Sequence, residues 1–208
     1  MRIAVIGTGN MGAGFARLFA NADFDVVIGH REPAKAAALA EKIGPRAQGG
    51  GIEAATKLAD IVFLALPYGA IEGVLRAAGD LSGKVLVDIT NPISADFKNL
   101  VIGHTTSAAE EIQSLAPKAK VVKAFNTIFA QLLPTDARKQ RILQVLVAGD
   151  DSAAKSEVSR LAKAVGFEPV DAGPLSNSRF IEPIGEMNIH FGYFLGWGPV
   201  AAPVWVKI

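Results

Sequence analysis

The chain has 208 residues, of which 50% are hydrophobic and 20% are charged, and its formal net charge is +1. This length suits one well-buried domain, and the small net charge excludes a general attraction to nucleic acid or to an anionic membrane surface. The absence of cysteine excludes disulfides, thiol nucleophiles and thiolate metal ligands. The histidines His30, His104 and His190 have no second ligand type at zinc-like spacing, so we predict no metal site.

Short apolar, β-branched runs alternate with alanine-rich helical stretches along the chain. The predicted strands are Arg2–Ile6, Asp25–Ile28, Ile61–Leu66, Lys84–Ile89, Lys120–Phe125, Leu143–Ala148 and Glu168–Asp171. The predicted helices are Met11–Ala22, Pro33–Ile43, Ile52–Leu58, Ala70–Ala78, Ser107–Leu115, Ser152–Val165 and roughly Ser178–Leu195. The central strands are apolar at nearly every position, which is typical of strands covered on both faces. The pattern predicts one doubly wound, Rossmann-type α/β domain over residues 1–208, with a mainly parallel sheet.

A glycine-rich turn follows the first predicted strand: Gly7-Thr8-Gly9-Asn10-Met11-Gly12. The pattern G-x-G-x-x-G is weak alone, but between a strand and an amphipathic helix it indicates a dinucleotide-binding loop. Gly7 would permit the tight turn, Gly9 the approach of a pyrophosphate, and Gly12 close packing of the helix on the sheet. The free N–H groups at the helix start would then bind phosphate. The alternative is an ordinary structural loop.

The tip of the second strand lacks the acid that binds the adenosine ribose in NAD-dependent proteins. The segment VVIGHREP places His30 and Arg31 there, and Lys35 follows one helical turn later. A guanidinium fork suits a phosphate, and the imidazole and ammonium can donate to the same group, so we predict NADP(H) rather than NAD(H). Glu32 need not point inward. The alternative is that Arg31 and Lys35 are solvated surface charges.

Polar or turn-forming pairs follow three further strands, where ligands bind in open α/β sheets. These pairs are Leu66-Pro67, Asn91-Pro92 and Asn126-Thr127. Each alone is explained by ordinary turn chemistry, but together they outline a cleft.

The sequence offers no recognisable acid–base catalyst, and we predict no catalytic side chain. A short-chain dehydrogenase needs a tyrosine with a lysine four residues later, whereas Tyr68 is followed there by Glu72 and Tyr193 by Trp197. No histidine–carboxylate cluster is expected near the glycine-rich turn. Such a site suits hydride exchange between NADPH and a second ring cofactor, because the cofactors carry the chemistry and the protein aligns them.

The C-terminal region combines a predicted helix with an uncharged, aromatic tail, FGYFLGWGPVAAPVWV, from Phe191 to Val206. The tail is shorter than the ~20 residues of a membrane span and is interrupted by glycine and proline. We therefore expect the region from about 175 to 208 to close the site or to form a homodimer interface. The N-terminus MRIAVIG enters a strand at once, without a signal peptide, which predicts a cytoplasmic protein.

Four motifs carry a resemblance to a known family. They are GTGNMG, the Gly-His-Arg turn with Lys35, KAFNT at 123–127 and, most specifically, DAGPLSNSRFIEP at 171–183. With these motifs the chain resembles the NADPH-dependent coenzyme F420 reductases over nearly its whole length. The cytosolic domain of STEAP-type metalloreductases resembles it as a more distant relative. The KAFNT motif and the GWGPVAAPVW tail resemble the bacterial members.

The resemblance implies a single Rossmann-type domain, usually dimeric, that passes hydride between NADPH and a deazaflavin. By matching motif, Thr8 to Met11 would hold the pyrophosphate. His30, Arg31 and Lys35 would bind the 2′-phosphate, although family members commonly have Ser or Asn at position 30. Leu66, Ala70, Pro92 and Ala130 would line the cofactor further along.

Two functions of different class follow from these observations. The first is an oxidoreductase that transfers hydride between NADPH and a deazaflavin such as F420, or a flavin. The second is a non-catalytic NADP-binding module that senses redox state. The electron acceptor stays open, because the KAFNT motif and the GWGPVAAPVW tail depart from the archaeal reductases: it could be a deazaflavin, a flavin, a quinone or another acceptor.

Overall fold

The computed structural model describes residues 1–138 and 141–208. Within these residues eight strands form one sheet in the order β3-β2-β1-β4-β5-β6-β7-β8. The strands are β1 (Arg2–Ile6), β2 (Asp25–Gly29), β3 (Ala47–Gly50), β4 (Ile61–Leu64), β5 (Val85–Asp88), β6 (Lys120–Lys123), β7 (Gln144–Gly149) and β8 (Glu168–Asp171). The helices are α1 (Asn10–Asn21), α2 (Pro33–Ile43), α3 (Ile52–Leu58), α4 (Ile71–Ala77), α5 (Ala108–Leu115), α6 (Ser152–Ala164) and α7 (Ser178–Ile189).

Neighbouring strands are parallel except for β6 and β7, whose antiparallel register places Val122 opposite Gly149. The doubly wound, mainly parallel fold predicted from the sequence is therefore confirmed. Strand β1 lies between β2 and β4. The chain first adds β2 and β3 on one side of β1, and the order then reverses, so that β4 to β8 follow on the other side. In such sheets the ligand crevice opens at this reversal of strand order, beyond the carboxyl ends of the strands.

The two faces of the sheet bury separate cores. On one face Ile3 and Val5 pack with α1, α2 and α6, and on the other Ala4 and Ile6 pack with α3, α4 and α5. Successive strand residues point to opposite faces, so a strand buried on both sides must be apolar at every position. The first core also contains a cluster of aromatic rings, in which the ring of Phe15 lies 5.1 Å from that of Phe63 between centroids.

The strand β3 is absent from the predicted elements. Its sequence AQGG has no apolar alternation, and the strand exists because its backbone pairs with β2 and packs against α2. A Cβ atom on Gly49 would lie 2.2 Å from the carbonyl oxygen of Ala36, so no larger residue fits this contact. Tertiary pairing decides the conformation here, which local propensity cannot reveal.

Several predicted elements end too late. The strand predicted over Ile61–Leu66 ends at Leu64, and the one predicted over Lys120–Phe125 ends at Lys123. The apolar run continues past each strand because the following loop residues are also buried, Phe125 completely. The last predicted helix, Ser178–Leu195, ends at Ile189 and continues as a π-helical turn over His190–Phe194.

No helix in the described ranges is both long enough and apolar enough to cross a membrane. The tail after the π-helical turn has no regular secondary structure.

Candidate functional site

The glycine-rich turn joins β1 to α1 in a conformation that excludes a side chain at Gly7 and at Gly12. Gly7 has φ +117°, and a Cβ there would lie 2.3 Å from the carbonyl oxygen of Ala65. A Cβ on Gly12 would lie 2.2 Å from the carbonyl oxygen of Gly7, so the helix could not sit this close to the turn with any side chain. A Cβ on Gly9 would meet no atom within 4 Å.

The N-terminus of α1 has no side-chain cap, and Gly9 occupies the cap position. The first N–H groups of a helix have no partner within the helix, and together with the helix dipole they attract an anion. Because Gly9 and Asn10 are exposed, these groups are open to a ligand. The predicted phosphate-binding residues Thr8 to Met11 therefore lie in a segment that can bind a pyrophosphate.

The basic residues at the tip of β2 are exposed and bind Glu32. Lys35 Nζ donates a hydrogen bond to Glu32 Oε1 at 2.9 Å, and Arg31 Nε lies 3.8 Å from the same oxygen. The hydrogen bond from Lys35 holds the pKa of Glu32 below its usual range. The N–H of Glu32 donates to His30 Nδ1 at 3.0 Å. The side chains of Arg31 and Lys35 are 83% and 57% exposed, so they can turn to an anion by exchanging the carboxylate for it.

A cavity of about 250 Å³ opens beside the start of α1. Five of the predicted site residues line it, namely Asn10, Met11, Asn91, Asn126 and Ala130. Aromatic side chains provide much of the remaining wall, namely Phe97, Phe125, Phe129 and Tyr193. The combination of apolar walls with a few convergent amide groups is typical of a site for a small organic ligand.

The amides of Asn91 and Asn126 form a pair at the carboxyl ends of β5 and β6. Asn91 Nδ2 donates to the carbonyl oxygen of Asn126 at 2.9 Å, and Asn126 Nδ2 donates to Asn91 Oδ1 at 3.0 Å and to the carbonyl oxygen of Ile181 at 3.1 Å. Asn126 Oδ1 is buried and has no hydrogen-bond partner among the described residues. A buried acceptor of this kind usually has a partner, and a bound ligand can provide one.

Four other predicted residues do not line this cavity. Leu66 packs on the core of the opposite sheet face, and its Cδ2 lies 3.3 Å from the position that a Cβ on Gly7 would take. Pro67 and Ala70 are exposed beyond β4, and Pro92 is buried. The structure therefore brings Asn91, Asn126 and Ala130 together with the start of α1, while Leu66, Pro67, Ala70 and Pro92 do not line the cavity.

A fully buried ammonium lies at the carboxyl ends of β5 and β6, the strands that the two asparagines follow. Lys123 Nζ is 2.8 Å from Asp88 Oδ2, 2.8 Å from Glu182 Oε1 and 2.6 Å from the carbonyl oxygen of Thr90. Burial raises the pKa of the Glu182 carboxyl, and the charge of Lys123 opposes this rise. Sequence reasoning missed this cluster. The sequence did contain a signal, because β5 ends in a carboxylate and β6 ends in an ammonium, each directly after apolar residues, and the two strands pair with Asp88 opposite Lys123.

The same region explains the most specific motif, DAGPLSNSRFIEP. Its Glu182 accepts hydrogen bonds from the N–H groups of Ala108 at 2.9 Å and Ala109 at 3.2 Å, at the start of α5. Its Arg179 donates two hydrogen bonds to Glu110, which hold the pKa of that carboxyl below its usual range. The motif therefore docks α7 onto α5 and beside the asparagine pair.

A histidine–carboxylate pair lies behind the cavity wall, next to Phe97. His190 Nε2 lies 3.3 Å from Glu186 Oε1 and 2.9 Å from the carbonyl oxygen of Phe97, and Phe97 lines the cavity. The pair joins α7 to the π-helical turn, and its spacing of four residues is the one that brings two side chains together on a helix. Burial raises the pKa of the Glu186 carboxyl, and His190 opposes the rise. No group of three or more metal-ligating side chains occurs in the described part of the chain.

Tyr68 does not present a free phenol to the site. Its hydroxyl donates a hydrogen bond to Glu111, and burial together with this bond raises its pKa. The phenol is thus held as a neutral donor to a carboxylate.

Comparisons with known proteins agree with this picture. The family described as NADP oxidoreductase, coenzyme F420-dependent, matches residues 2–92. An F420-dependent NADP reductase of Methanocaldococcus jannaschii is 32% identical over 91% of this chain and 91% of its own length. The crystal structure of a protein from Arthrobacter sp., assigned as an F420-dependent NADP reductase, superposes with a TM-score of 0.84 at 33% identity, covering 94% of this chain and 95% of that one.

The metalloreductase STEAP3 of Rattus norvegicus is 34% identical over 88% of this chain. By identity it is no more distant than the archaeal reductase, contrary to the sequence-based expectation. The chain spans only 36% of that metalloreductase.

Proposed function

This chain belongs to the family of coenzyme F420-dependent NADP oxidoreductases, and from that membership we propose that it transfers hydride between NADPH and a deazaflavin such as F420, or a flavin. The observation that carries the proposal is the adjacency of an uncapped α1 N-terminus to a cavity with an unsatisfied amide oxygen, Asn126 Oδ1. The first feature suits a pyrophosphate and the second suits an amide-bearing ring. Membership makes the chain an NADP-dependent oxidoreductase, and the acceptor is the proposed part.

The residues present fit NADP(H). The open space at Gly9 admits a pyrophosphate to the backbone N–H groups of Thr8 to Met11 and Gly12. His30, Arg31 and Lys35 would bind the 2′-phosphate once Glu32 releases the two cations. When bound, NADPH supplies the hydride that the reaction moves. Leu66, Pro67, Ala70, Pro92 and Ala130 remain predicted lining residues along the cofactor.

The protein contributes positioning rather than acid–base catalysis in this proposal. Asn91 and Asn126 would orient the nicotinamide through their amides, and the aromatic side chains Phe97, Phe129 and Tyr193 would exclude water from the reacting rings. His190 is bound to Glu186 and to the backbone, so we assign it no catalytic role. Replacing His190 by Ala should lower the turnover number by no more than about ten-fold. A loss of about a thousand-fold with intact NADPH binding would instead indicate general acid catalysis.

The test of the proposed function is hydride transfer by the purified protein. NADPH oxidation would be followed with F420, FMN, FAD and a water-soluble quinone as acceptors, and the affinities for NADPH and NADH measured by titration. We expect NADPH to bind much more tightly than NADH, and a deazaflavin or flavin to be reduced faster than the quinone. An Asn126→Ala variant should lose activity, whereas Asn99→Ala, at an exposed loop position, should not. Tight NADPH binding with no reduction of any ring acceptor would contradict the proposed reaction.

We also propose that the protein is a homodimer whose interface uses the C-terminal region. Trp197, Trp205 and Val206 are 62%, 54% and 77% exposed, and Tyr193 and Phe194 are exposed beside them. So many exposed large apolar side chains in one short segment are unusual on a monomer. Light scattering should report a dimer, and a well-behaved monomer with an intact tail would contradict this part of the proposal. The cytoplasmic location stays a prediction.

A further inference from the structure

The buried charges around Lys123 do not balance one another. The ammonium contacts two carboxylates, those of Asp88 and Glu182, each at 2.8 Å, and it also donates to the carbonyl oxygen of Thr90. No other cation forms a salt bridge with either carboxylate within residues 1–138 and 141–208. With both carboxylates ionised, this buried ion cluster of Asp88, Lys123 and Glu182 carries one uncompensated negative charge.

Hydrogen bonds favour the ionised form of both carboxylates. Glu182 accepts from the first two N–H groups of α5 and from Lys123, so that both of its oxygens face N–H donors. Asp88 Oδ1 accepts from the N–H of Thr90 at 2.8 Å, and its Oδ2 accepts from Lys123. A protonated carboxyl would have to point its O–H group at one of these donors. The bonds therefore oppose the effect of burial, which raises the pKa of Glu182.

The buried ion cluster lies close to the cavity of the candidate site. Its members are followed in the chain, after one, two and three residues, by the cavity-lining residues Ile89, Phe125 and Gly185. Lys123 binds the carbonyl oxygen of the residue before Asn91, and Asn126 binds that of the residue before Glu182. All three members are buried, so water does not screen the charge from the cavity. The N-terminus of α5 offsets part of it.

Hydride transfer changes the charge of a nicotinamide. Two electrons and one proton leave the neutral reduced ring together as hydride and join the acceptor ring, and the oxidised nicotinamide keeps one positive charge. A fixed negative charge nearby stabilises the oxidised ring and has little effect on the reduced one. The buried ion cluster lacks one positive charge, and an oxidised nicotinamide in the cavity would supply it.

We propose that the buried ion cluster stabilises the positive nicotinamide of NADP⁺ and so makes bound NADPH a stronger hydride donor. The inference rests on the proposed function, because it needs the nicotinamide beside Asn91 and Asn126. It gives Asp88 and Glu182 an electrostatic role, which differs from positioning because a positioning contact serves both forms of the ring alike. The shift applies to bound nucleotide only, so the equilibrium between the free reactants does not change.

The test is the ratio of the Kd of NADP⁺ to the Kd of NADPH, measured by calorimetric titration without an acceptor. Glu182→Gln and Asp88→Asn each remove one negative charge and should raise this ratio about ten-fold. That is the effect expected of one charge over about 10 Å at an effective dielectric constant of about 20. The two nucleotides differ only in the nicotinamide ring, so a general loss of structure weakens both and leaves the ratio unchanged.

Two control variants separate charge from shape. Glu182→Asp distorts the cluster but keeps its charge, so the ratio should stay within about two-fold of the native value. Glu157→Gln removes a carboxylate far from the cavity, because Glu157 lies beside Asp60 and Lys84, which precede β4 and β5. It should leave the ratio unchanged. The two charge-removing variants lie on different elements, β5 and α7, so a failure of one to fold leaves the other as the test.

A ratio that stays within about two-fold of the native value in the charge-removing variants would overturn the electrostatic role. So would an equal rise in Glu182→Asp. NADPH oxidation by the native protein with F420 and FMN is measured separately. If a ring acceptor is reduced but the ratio does not respond to charge, the inference is wrong while the proposed reaction stands. If the ratio responds but no ring acceptor is reduced, the proposed reaction fails and the effect on bound nucleotide stands.

Discussion

At the tip of β2, Arg31 and Lys35 are exposed and share the carboxylate of Glu32. At the ends of β5 and β6, Lys123 is completely buried and is held by the carboxylates of Asp88 and Glu182. Both regions have cations bound to carboxylates, but water screens the first group and not the second. The exposed cations can exchange the carboxylate for a ligand at a small cost in free energy. Removing a partner from the buried group leaves an unpaired buried charge, which lowers the free energy of unfolding strongly. One end of the site is thus suited to recognition and the other to positioning.

Replacing Lys123 by Met should cause the largest change, because it leaves two carboxylates buried without their cation. We expect the free energy of unfolding to fall by about 3–5 kcal/mol, measured by urea denaturation. The matched control is Lys120→Met on the same strand, because Lys120 is 42% exposed and pairs with Asp151 at the surface. The control should lose less than about 1 kcal/mol. Similar losses for both lysines would mean that burial does not distinguish the two regions.

A methyl group on Gly185 tests the positioning end without a change of charge. A Cβ there would lie 2.3 Å from Asn91 Oδ1 and 2.7 Å from Asn126 Nδ2, so Gly185→Ala should separate the asparagine pair. We expect a loss of about 1–3 kcal/mol in the free energy of unfolding and a higher KM for NADPH. Gly73→Ala in α4 is the control, since a Cβ there meets nothing within 4 Å. The control should stabilise the protein by up to about 1 kcal/mol.

At the recognition end, Arg31→Ala should weaken the binding of NADPH about ten-fold and leave the binding of NADH nearly unchanged. The reason is that only NADPH carries the 2′-phosphate. The free energy of unfolding should change little, because the side chain is 83% exposed. Equal weakening for both nucleotides would assign Arg31 to a contact shared by the two cofactors.

The smallest expected effect is an increase in the affinity for NADPH. Glu32→Gln removes the carboxylate that Lys35 and Arg31 bind in the free protein, so NADPH should bind about two- to three-fold more tightly. The gain should shrink at high salt, since exposed charges are screened. Weaker NADPH binding in this variant would show that Glu32 arranges the two cations for the phosphate rather than competing with it.

The recognition end could be predicted from the sequence, and the positioning end only in part. The strand–turn–helix order and the missing acid at the tip of β2 are local features of the sequence. The segments Gly7 to Gly12 and His30 to Lys35 could therefore be identified from the sequence. Asn91 and Asn126 could also be identified from the sequence, because each follows an apolar run. Their pairing, and the approach of Gly185 to both, depend on how α7 docks across the sheet, which no local pattern records.

The fold shows the same division. The alternation of apolar strands with helices predicted the parallel core of the sheet. It could not predict β3, which depends on a close backbone contact at Gly49. Nor could it predict that β7 is antiparallel to β6, which depends on the path of the chain between them. The charges that follow the apolar residues of β5 and β6 could have indicated Asp88 and Lys123 as partners. Glu182, the third member, lies on a helix far along the chain and carried no signal of its own.

The wide sequence separation of the Lys123 cluster has a consequence for folding kinetics. The carboxylate of Glu182 accepts a hydrogen bond from the N–H of Ala108, which lies 74 residues earlier in the chain. This contact can form only after nearly the whole chain has been synthesised. Contacts of such separation close late, because the entropy of a long loop must be lost first. Glu182→Gln should therefore speed unfolding and leave the folding rate nearly unchanged, as expected of an interaction absent from the transition state. The docking of α7 would then determine the unfolding rate, and with it the lifetime of the folded protein.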